Sequence, residues 1–239
     1  MKKKSFTIKL ILFVLLVCAI LFVARFSGHA FLKMYVEAGT GSCLKIPILC
    51  MMPTETIINP VIDDKFINSL IPYKFPKMNI AIPKGFSVMQ ETIKKVYYKK
   101  KKLSHAEKVV YLLHQPSDFF VGLYPQLKKQ GVKDDYEFIR RIMYANLNRI
   151  KNVTDAFFVI MKGIFTPDLG DQKNVKMVEF QTQDKRGFIN YNLSNTAFDC
   201  NVISEKGGFF KVYIKDKEAS LDLAQVLAII NTLVNVDKA

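Results

Sequence analysis

The sequence predicts an α+β fold, in which an antiparallel β-meander sheet packs with helices behind an N-terminal transmembrane or signal helix. Three observations support this. Residues 10–24 form an apolar run without a charge. From Ala156 onward, apolar and polar residues alternate in short segments joined by turn-like sequences, which is typical of antiparallel strands. The last segment, residues 223–234, carries apolar residues at helical spacing.

The N-terminal segment, residues 1–30, predicts a signal anchor or a signal peptide. Lys2, Lys3, Lys4 and Lys9 precede the apolar run. By the positive-inside rule, the start of the chain lies in the cytoplasm and everything after about residue 26 lies outside. Cleavage after Ala30 would secrete the protein. We favour an uncleaved, single-pass anchor in a bacterial cell membrane, because Arg25 and His29 suit a cleavage site poorly.

Residues 31–77 are expected to form a proline-rich connecting region in front of a globular domain at residues 78–239. Six of the nine prolines lie between residues 31 and 83, and proline at this density disfavours long helices and central strands. One short helix is expected within it, with Asn59 as the N-cap and Pro60 at the first position. Ile62, Phe66 and Leu70 would then face the domain.

The connecting region holds two of the four cysteines, Cys43 and Cys50. They could be metal ligands, reactive thiols or a disulfide. In an oxidising, exported segment a disulfide is the commoner state, and a zinc site would need two further ligands that no nearby residue supplies. Closing a loop of about eight residues stabilises by about 2.5 kcal/mol. We therefore predict a Cys43–Cys50 bridge that pins an apolar loop close to the bilayer.

The first half of the domain mixes strands and helices. "NIAIPKGFSV" predicts two strands joined by a turn at residues 83–85. Residues 104–115 predict a helix, because Ser104 and Glu107 form a capping box and Pro116 would end it. The β-rich run "KVVYLL" leaves a strand as the alternative. Residues 134–150 predict a clear helix with one apolar stripe.

The second half predicts a meander followed by a helix. "AFFVIMKGIF", residues 156–165, predicts a strand with a bend at Gly163. "NVKMVEFQTQ", "GFINYNL", "TAFDCNVI" and "GFFKVYIKD" predict four hairpin-connected strands. Cys200 alternates with apolar neighbours, so we expect it to be a small buried residue. In the final helix the expected stripe is Leu223, Leu227, Ile230 and Val234.

This layout resembles the PsbP-like fold family over about residues 78–236. The opening "IPKGFSV", a helix before the sheet, the meander and the final "LAQVLAIINTL" helix carry the resemblance. It implies an α/β/α sandwich that binds partners rather than catalysing a reaction. It provides no functional residues that can be transferred to positions of this chain.

The sequence offers little for catalysis or metal binding. It contains no HExxH, GxSxG, P-loop or GxGxxG motif. His105 and His114 are nine residues apart, so a helix would place them on roughly opposite sides. A set of distant residues such as Ser104, His114 and Asp118 could still form a triad, but nothing favours it. We expect no enzyme activity, no metal and no cofactor.

A cluster of lysines gives the chain much of its net charge of +14. Residues 74–108 hold ten lysines and only two acidic residues, Glu91 and Glu107. Such a cluster near a bilayer attracts anionic headgroups, although it is equally typical of a solvated basic loop. We do not expect nucleic acid as a partner, because the run is almost pure lysine, without interleaved arginine and aromatic residues. The residues expected to bind a surface are Lys94, Lys95, Lys99, Lys100, Lys101, Lys102 and Lys108.

Together these features predict a membrane-anchored, extracytoplasmic binding or scaffolding domain that contacts an envelope protein or an anionic lipid or cell-wall surface. Two alternatives stay open. One is a lipid-handling protein with an apolar cavity, and the other is an envelope hydrolase that uses dispersed residues.

Overall fold

The protein is described from a computed structural model, which covers residues 28–61, 63–75, 78–90, 108–167, 169–170, 174–192, 194, 197–205 and 207–236. The predicted anchor run lies outside these residues. In the described part, no helix is both long and apolar enough to cross a bilayer.

The helices and strands alternate irregularly before the meander. Helix α1 covers residues 28–40, and a 3₁₀ helix follows at Pro47–Cys50. The elements that come next are β1 (Thr56–Ile58), α2 (Asp64–Ser69), β2 (Ile71–Lys74), β3 (Met78–Ile82), β4 (Ser87–Gln90), β5 (Lys108–Gln115), α3 (Phe119–Leu123) and α4 (Asp135–Tyr144). Short 3₁₀ helices flank α4 at Pro125–Gln130 and Leu147–Arg149. The chain continues with α5 (Val153–Phe165), β6 (Val175–Gln181), β7 (Lys185–Asn192), β8 (Ala197–Ser204), β9 (Gly208–Asp216), α6 (Leu223–Asn231) and β10 (Val234–Asn235).

The main sheet has seven strands in the order β1-β6-β7-β8-β9-β5-β4. The predicted meander, β6 to β9, pairs antiparallel throughout, and β5 adds antiparallel to β9. The outermost strands, β1 and β4, pair in parallel with β6 and β5. A second, antiparallel sheet has the order β10-β3-β2. The predicted α+β class and the meander are therefore confirmed.

Apolar cores lie on both faces of the main sheet. Alternation along β7 places Phe188 on one face and Ile189 on the other. The Phe188 core also contains buried residues of α4 and α5, and Val36, Ile48 and Leu49 join it from the region expected to be only a connection. The Ile189 core is closed by α6 and the small sheet.

Two predicted elements have the wrong type. Residues 108–115 form strand β5, the alternative that the run "KVVYLL" left open, rather than the favoured helix, because they pair along their whole length with β9. Residues 153–165 form helix α5 rather than a strand with a bend. Its N-cap Asn152 accepts a hydrogen bond from the Asp155 amide, and Gly163 lies inside the helix, where a Cβ would sit 3.6 Å from Leu49.

Three helix boundaries also differ from the prediction. Helix α2 begins at Asp64, because the Asp63 side chain caps it by accepting from the Lys65 amide; Asn59 does not cap it. Helix α4 ends at Tyr144, before the predicted limit at residue 150. Val234 lies in β10 and is half exposed, so it does not continue the buried stripe of α6.

Candidate docking face and the disulfide loop

The cysteine loop is held against the domain. The sulfur atoms of Cys43 and Cys50 lie at bonding distance, with the two Cα atoms 5.7 Å apart, so the predicted pairing is present. Between the cysteines, Ile48 and Leu49 are buried in the core. Leu44 points away and is 95% exposed. The loop therefore packs on the domain through Ile48 and Leu49 and leaves the Leu44 side chain exposed to solvent.

Lys162 joins the residue after this loop, Met51, to the end of α4 by hydrogen bonds. Its side chain is fully buried in α5, and its Nζ donates to the carbonyl oxygens of Met51, Met143 and Ala145 at 2.5, 2.7 and 2.8 Å. Three acceptors match the three donors of an ammonium group. Burial lowers the pKa of Lys162 to about 7. Two of the carbonyls belong to the end of α4, where backbone acceptors lack helical partners.

Helix α1 is apolar on its outer side as well as its inner side. Leu32 and Val36 face the core. Phe31, Met34 and Tyr35, which share the opposite stripe by their i, i+3 and i+4 spacing, are 65%, 59% and 69% exposed. The two aromatic rings alone leave roughly 200–330 Å² open, if each side chain offers about 150–250 Å². Monomeric proteins rarely expose contiguous apolar patches larger than a few hundred Å².

Helix α5 is also apolar on its outer side. Ile160 and Ile164 are exposed on its outer side, 36% and 70% respectively, whereas Lys162 points inward. A surface helix normally places its charges outward and its apolar residues inward. The outer side of α5 departs from this rule, because Ile160 and Ile164 are exposed there while Lys162 is buried.

A cleft of about 810 Å³ joins these two helices and the disulfide loop. Gly39, one turn beyond Tyr35, lines it from α1, and Ile160 and Ile164 line it from α5. Lys45 and Ile46 line it from the disulfide loop. We call the exposed apolar side chains of these two helices and of the disulfide loop the docking face. It comprises Phe31, Met34, Tyr35, Leu44, Ile160 and Ile164.

A polar network is buried between the sheet and α5. Lys211 Nζ lies 2.9 Å from Asp199 and donates to the Phe165 carbonyl at 2.5 Å. Asn190 donates to Asp199 at 3.2 Å. Asn190 Oδ1 and Asn201 Nδ2 have no hydrogen-bond partner among the described residues. The network contains one matched ion pair, so it stabilises the packing of α5 rather than forming an open site.

A second cluster surrounds Glu179 of β6. Tyr136 donates a short hydrogen bond to one carboxylate oxygen, and Tyr144 donates to the other at 2.7 Å. The Arg186 guanidinium lies 4.0 Å from the centre of the Tyr136 ring. Burial and the Glu179 carboxylate raise the pKa of both phenols. The tyrosines are therefore held as protonated donors, which suits them to anchoring α4 on the sheet.

Of the candidate catalytic residues, His114 and Asp118 are described, and Asp118 directly precedes helix α3. His114 lies in strand β5, where its Nε2 is 2.8 Å from the Gly207 carbonyl and its ring stacks near Phe210. Ser104 and His105 fall outside the described residues. Among the residues that are described, no group of three or more histidine, cysteine, aspartate or glutamate side chains could hold a metal ion. Cys200 is fully buried, as predicted, and burial raises its pKa.

The predicted surface-binding lysines fall almost entirely outside the described residues. These are Lys94, Lys95, Lys99, Lys100, Lys101 and Lys102. Lys108 is described, and its Nζ lies 2.7 Å from Glu218 and 4.0 Å from Asp216. It also sits 5.6 Å from the centre of the Phe86 ring. Lys108 is thus engaged within the fold.

Sequence reasoning missed Lys162 and Glu179 and the outer sides of α1 and α5. The burial of Lys162 had no signal, because it depends on carbonyls from two distant segments. The outer side of α1 did have a signal in the sequence. Phe31, Met34 and Tyr35 fit a helical stripe that follows the anchor run almost at once.

Comparison with known proteins gives no further lead. No protein family model, curated protein or solved structure matches the chain.

Proposed function

We propose that the protein is a membrane-anchored, extracytoplasmic binding or scaffolding domain, without catalytic activity, that contacts a protein or an anionic surface of the bacterial envelope. The observation that carries the proposal is the docking face, which exposes apolar side chains on the outer sides of two neighbouring helices. The Cys43–Cys50 pair supports an oxidising location. The lysines before residue 10 and the apolar run after them support the anchor.

We further propose that the domain adopts the PsbP-like fold. Helices on both faces of an antiparallel meander, with α6 covering one of them, support this. Proteins of that kind bind partners through their surfaces, which agrees with a docking face formed outside the cores.

A topology experiment tests the proposal. Bacterial cells that express the full chain are converted to spheroplasts and treated with a membrane-impermeant maleimide, with and without a reductant. We expect the protein to stay in carbonate-washed membranes and to gain label only after reduction. The Cys43→Ser/Cys50→Ser variant is the matched control and should gain none. Recovery in the soluble cytoplasmic fraction, or labelling without reductant, would overturn the proposal.

The lysine prediction has its own test. Replacing Lys99, Lys100, Lys101 and Lys102 by glutamine should reduce cross-linking of the domain to envelope components and its recovery with anionic vesicles. Association that is unchanged in both assays would show that these lysines do not bind a surface.

A lipid-handling protein is the second candidate, and the cleft is the observation that favours it. Its apolar lining from Ile46, Ile160 and Ile164, with Lys45 beside them, suits one acyl chain and a phosphate. Among the described residues, no aromatic side chain lines this cleft, and Phe120 packs against Phe138, Phe165 and Phe209 in the core. Native mass spectrometry that finds a stoichiometric lipid would favour this candidate over a scaffold.

A further inference from the structure

We propose that the docking face lies in the headgroup layer of the bilayer, so that the domain rests on the membrane through α1, the disulfide loop and α5. This inference rests on the proposed membrane anchor and adds the orientation of the domain. Three observations carry it: the distance from the anchor, the side chains of the face, and the inward direction of Lys162.

The distance from the anchor leaves α1 little freedom. Its described part begins at residue 28, and the apolar run ends near residue 26. At about 1.5 Å per residue, Phe31 lies roughly 5 Å and Tyr35 roughly 11 Å beyond the start of the described helix. The headgroup layer is only about 5–8 Å thick on each side. An upright helix would leave Tyr35 in water, whereas a helix lying flat places the whole stripe in that layer.

The side chains of the face suit this layer. Phe31 and Tyr35 are residues of the aromatic belts at membrane interfaces. Leu44 stands at the tip of the loop, with Lys45 directly after it, and an exposed apolar side chain next to a lysine suits an anionic lipid surface. The exposed stripe of α1 carries no acidic residue, and Glu37 lies outside the stripe and is only partly exposed.

The outer side of α5 adds exposed apolar residues beside the end of α1. Ile160 and Ile164 line the same cleft as Gly39, so the last turn of α1 lies close to the outer side of α5. The only lysine of α5 is directed away from this surface, into the three backbone carbonyls. An isolated partner protein would explain an apolar patch equally well. A bilayer explains why the patch begins at the first residues after the anchor.

Tryptophan reporters test the orientation, because the chain contains no tryptophan of its own. Tyr35→Trp and Ile164→Trp place one reporter on each helix of the docking face, at positions already about 70% exposed. Val234→Trp is the matched control, since Val234 is 49% exposed on the small sheet, at the opposite face of the main sheet. The full-length variants are reconstituted in vesicles of phosphatidylcholine and phosphatidylglycerol with brominated acyl chains.

We expect the reporters at positions 35 and 164 to lose most of their emission to the brominated lipid, while the reporter at position 234 keeps its intensity. Quenching at neither position, in protein that floats with the vesicles, overturns the orientation and leaves the anchor intact. If only the reporter at position 164 is quenched, and the quenching persists when the protein is in detergent with added brominated lipid, a lipid is bound in the cleft. That result also overturns the orientation.

Two other outcomes count against the inference. If both reporters are shielded from aqueous quenchers but not reached by brominated lipid, and an Ile164→Cys variant forms a disulfide between two chains, a second copy covers the face. If the protein does not float with vesicles at all, the anchor is wrong and the orientation falls with it.

Discussion

Lys162 should make the folded protein more stable as the pH rises from about 7 to about 9. Burial lowers its pKa to about 7 in the folded protein, whereas the unfolded chain keeps the ordinary value of 10.5. Between these values the unfolded chain binds one proton more than the folded protein does. Stability rises with pH wherever the unfolded state binds more protons.

The size of the effect follows from one titrating group. The free energy of unfolding should rise by about 1.4 kcal/mol per pH unit in this window. Because the folded group is half protonated at pH 7, the gain between pH 7 and pH 9 is about 2 kcal/mol. Below about pH 6 both states carry the proton, and the contribution of Lys162 to the slope disappears.

The Lys162→Met variant removes the titration and keeps a side chain of similar length. The lost hydrogen bonds add a constant difference, so only the change of that difference with pH reports on the pKa. Lys176→Met is the matched control, because Lys176 is an exposed lysine on β6. Urea unfolding followed by far-ultraviolet circular dichroism gives the free energy of unfolding of all three proteins from pH 6 to pH 9. The difference between wild type and Lys162→Met should grow by about 2 kcal/mol from pH 7 to pH 9, and the difference to Lys176→Met should stay constant. A flat difference for Lys162→Met would refute the lowered pKa.

Three further changes have defined outcomes. The Cys43→Ser/Cys50→Ser variant should lose about 2.5 kcal/mol of stability, because the unfolded chain is no longer closed into a short loop; urea unfolding equal to that of the oxidised wild type would contradict this. Asp199→Ala should cost about 3–5 kcal/mol, since it leaves the ammonium of its buried ion pair without a counter-charge, and a thermal midpoint within a degree of wild type would argue against the network. Gly187→Ala should prevent folding, because a Cβ there would lie 1.9 Å from a backbone oxygen of β8, whereas Gly122→Ala, with no atom within 4 Å, should fold. Circular dichroism distinguishes the pair, and a folded Gly187→Ala protein would show that β7 and β8 are paired differently.

The meander could be predicted because local signals agreed with the final packing. In β8 and β9, alternate residues such as Cys200 and Val212 face one core, as their period of two requires. Short turns between the strands fixed the pairing. The start of α6 also depends on residues close in sequence, because Asp222 and Gln225 form a capping box.

Helix α5 could not be identified from its period, because both of its sides are apolar. Between Ala156 and Phe165 the only charged residue is Lys162. Such a run fits a buried strand as well as a helix. The helix is fixed by Asn152 at its start and by packing against α4 and the disulfide loop, and these contacts join segments distant in sequence.

Because both sides of α5 are apolar, its helical period is not visible in the sequence. For the same reason, its outer side is apolar although it is exposed. The core requires only the inner residues, such as Phe158 and Val159, and the single cation is used to satisfy backbone carbonyls inside. Ile164 is 70% exposed, so the described fold does not require isoleucine there, and a polar residue would lose little apolar burial. The pattern repeats in α1, which lies next to the predicted anchor and packs into the same core. Two neighbouring helices that are both apolar on their outer sides are explained together by one apolar surface outside the domain, and separately by none of the contacts within it.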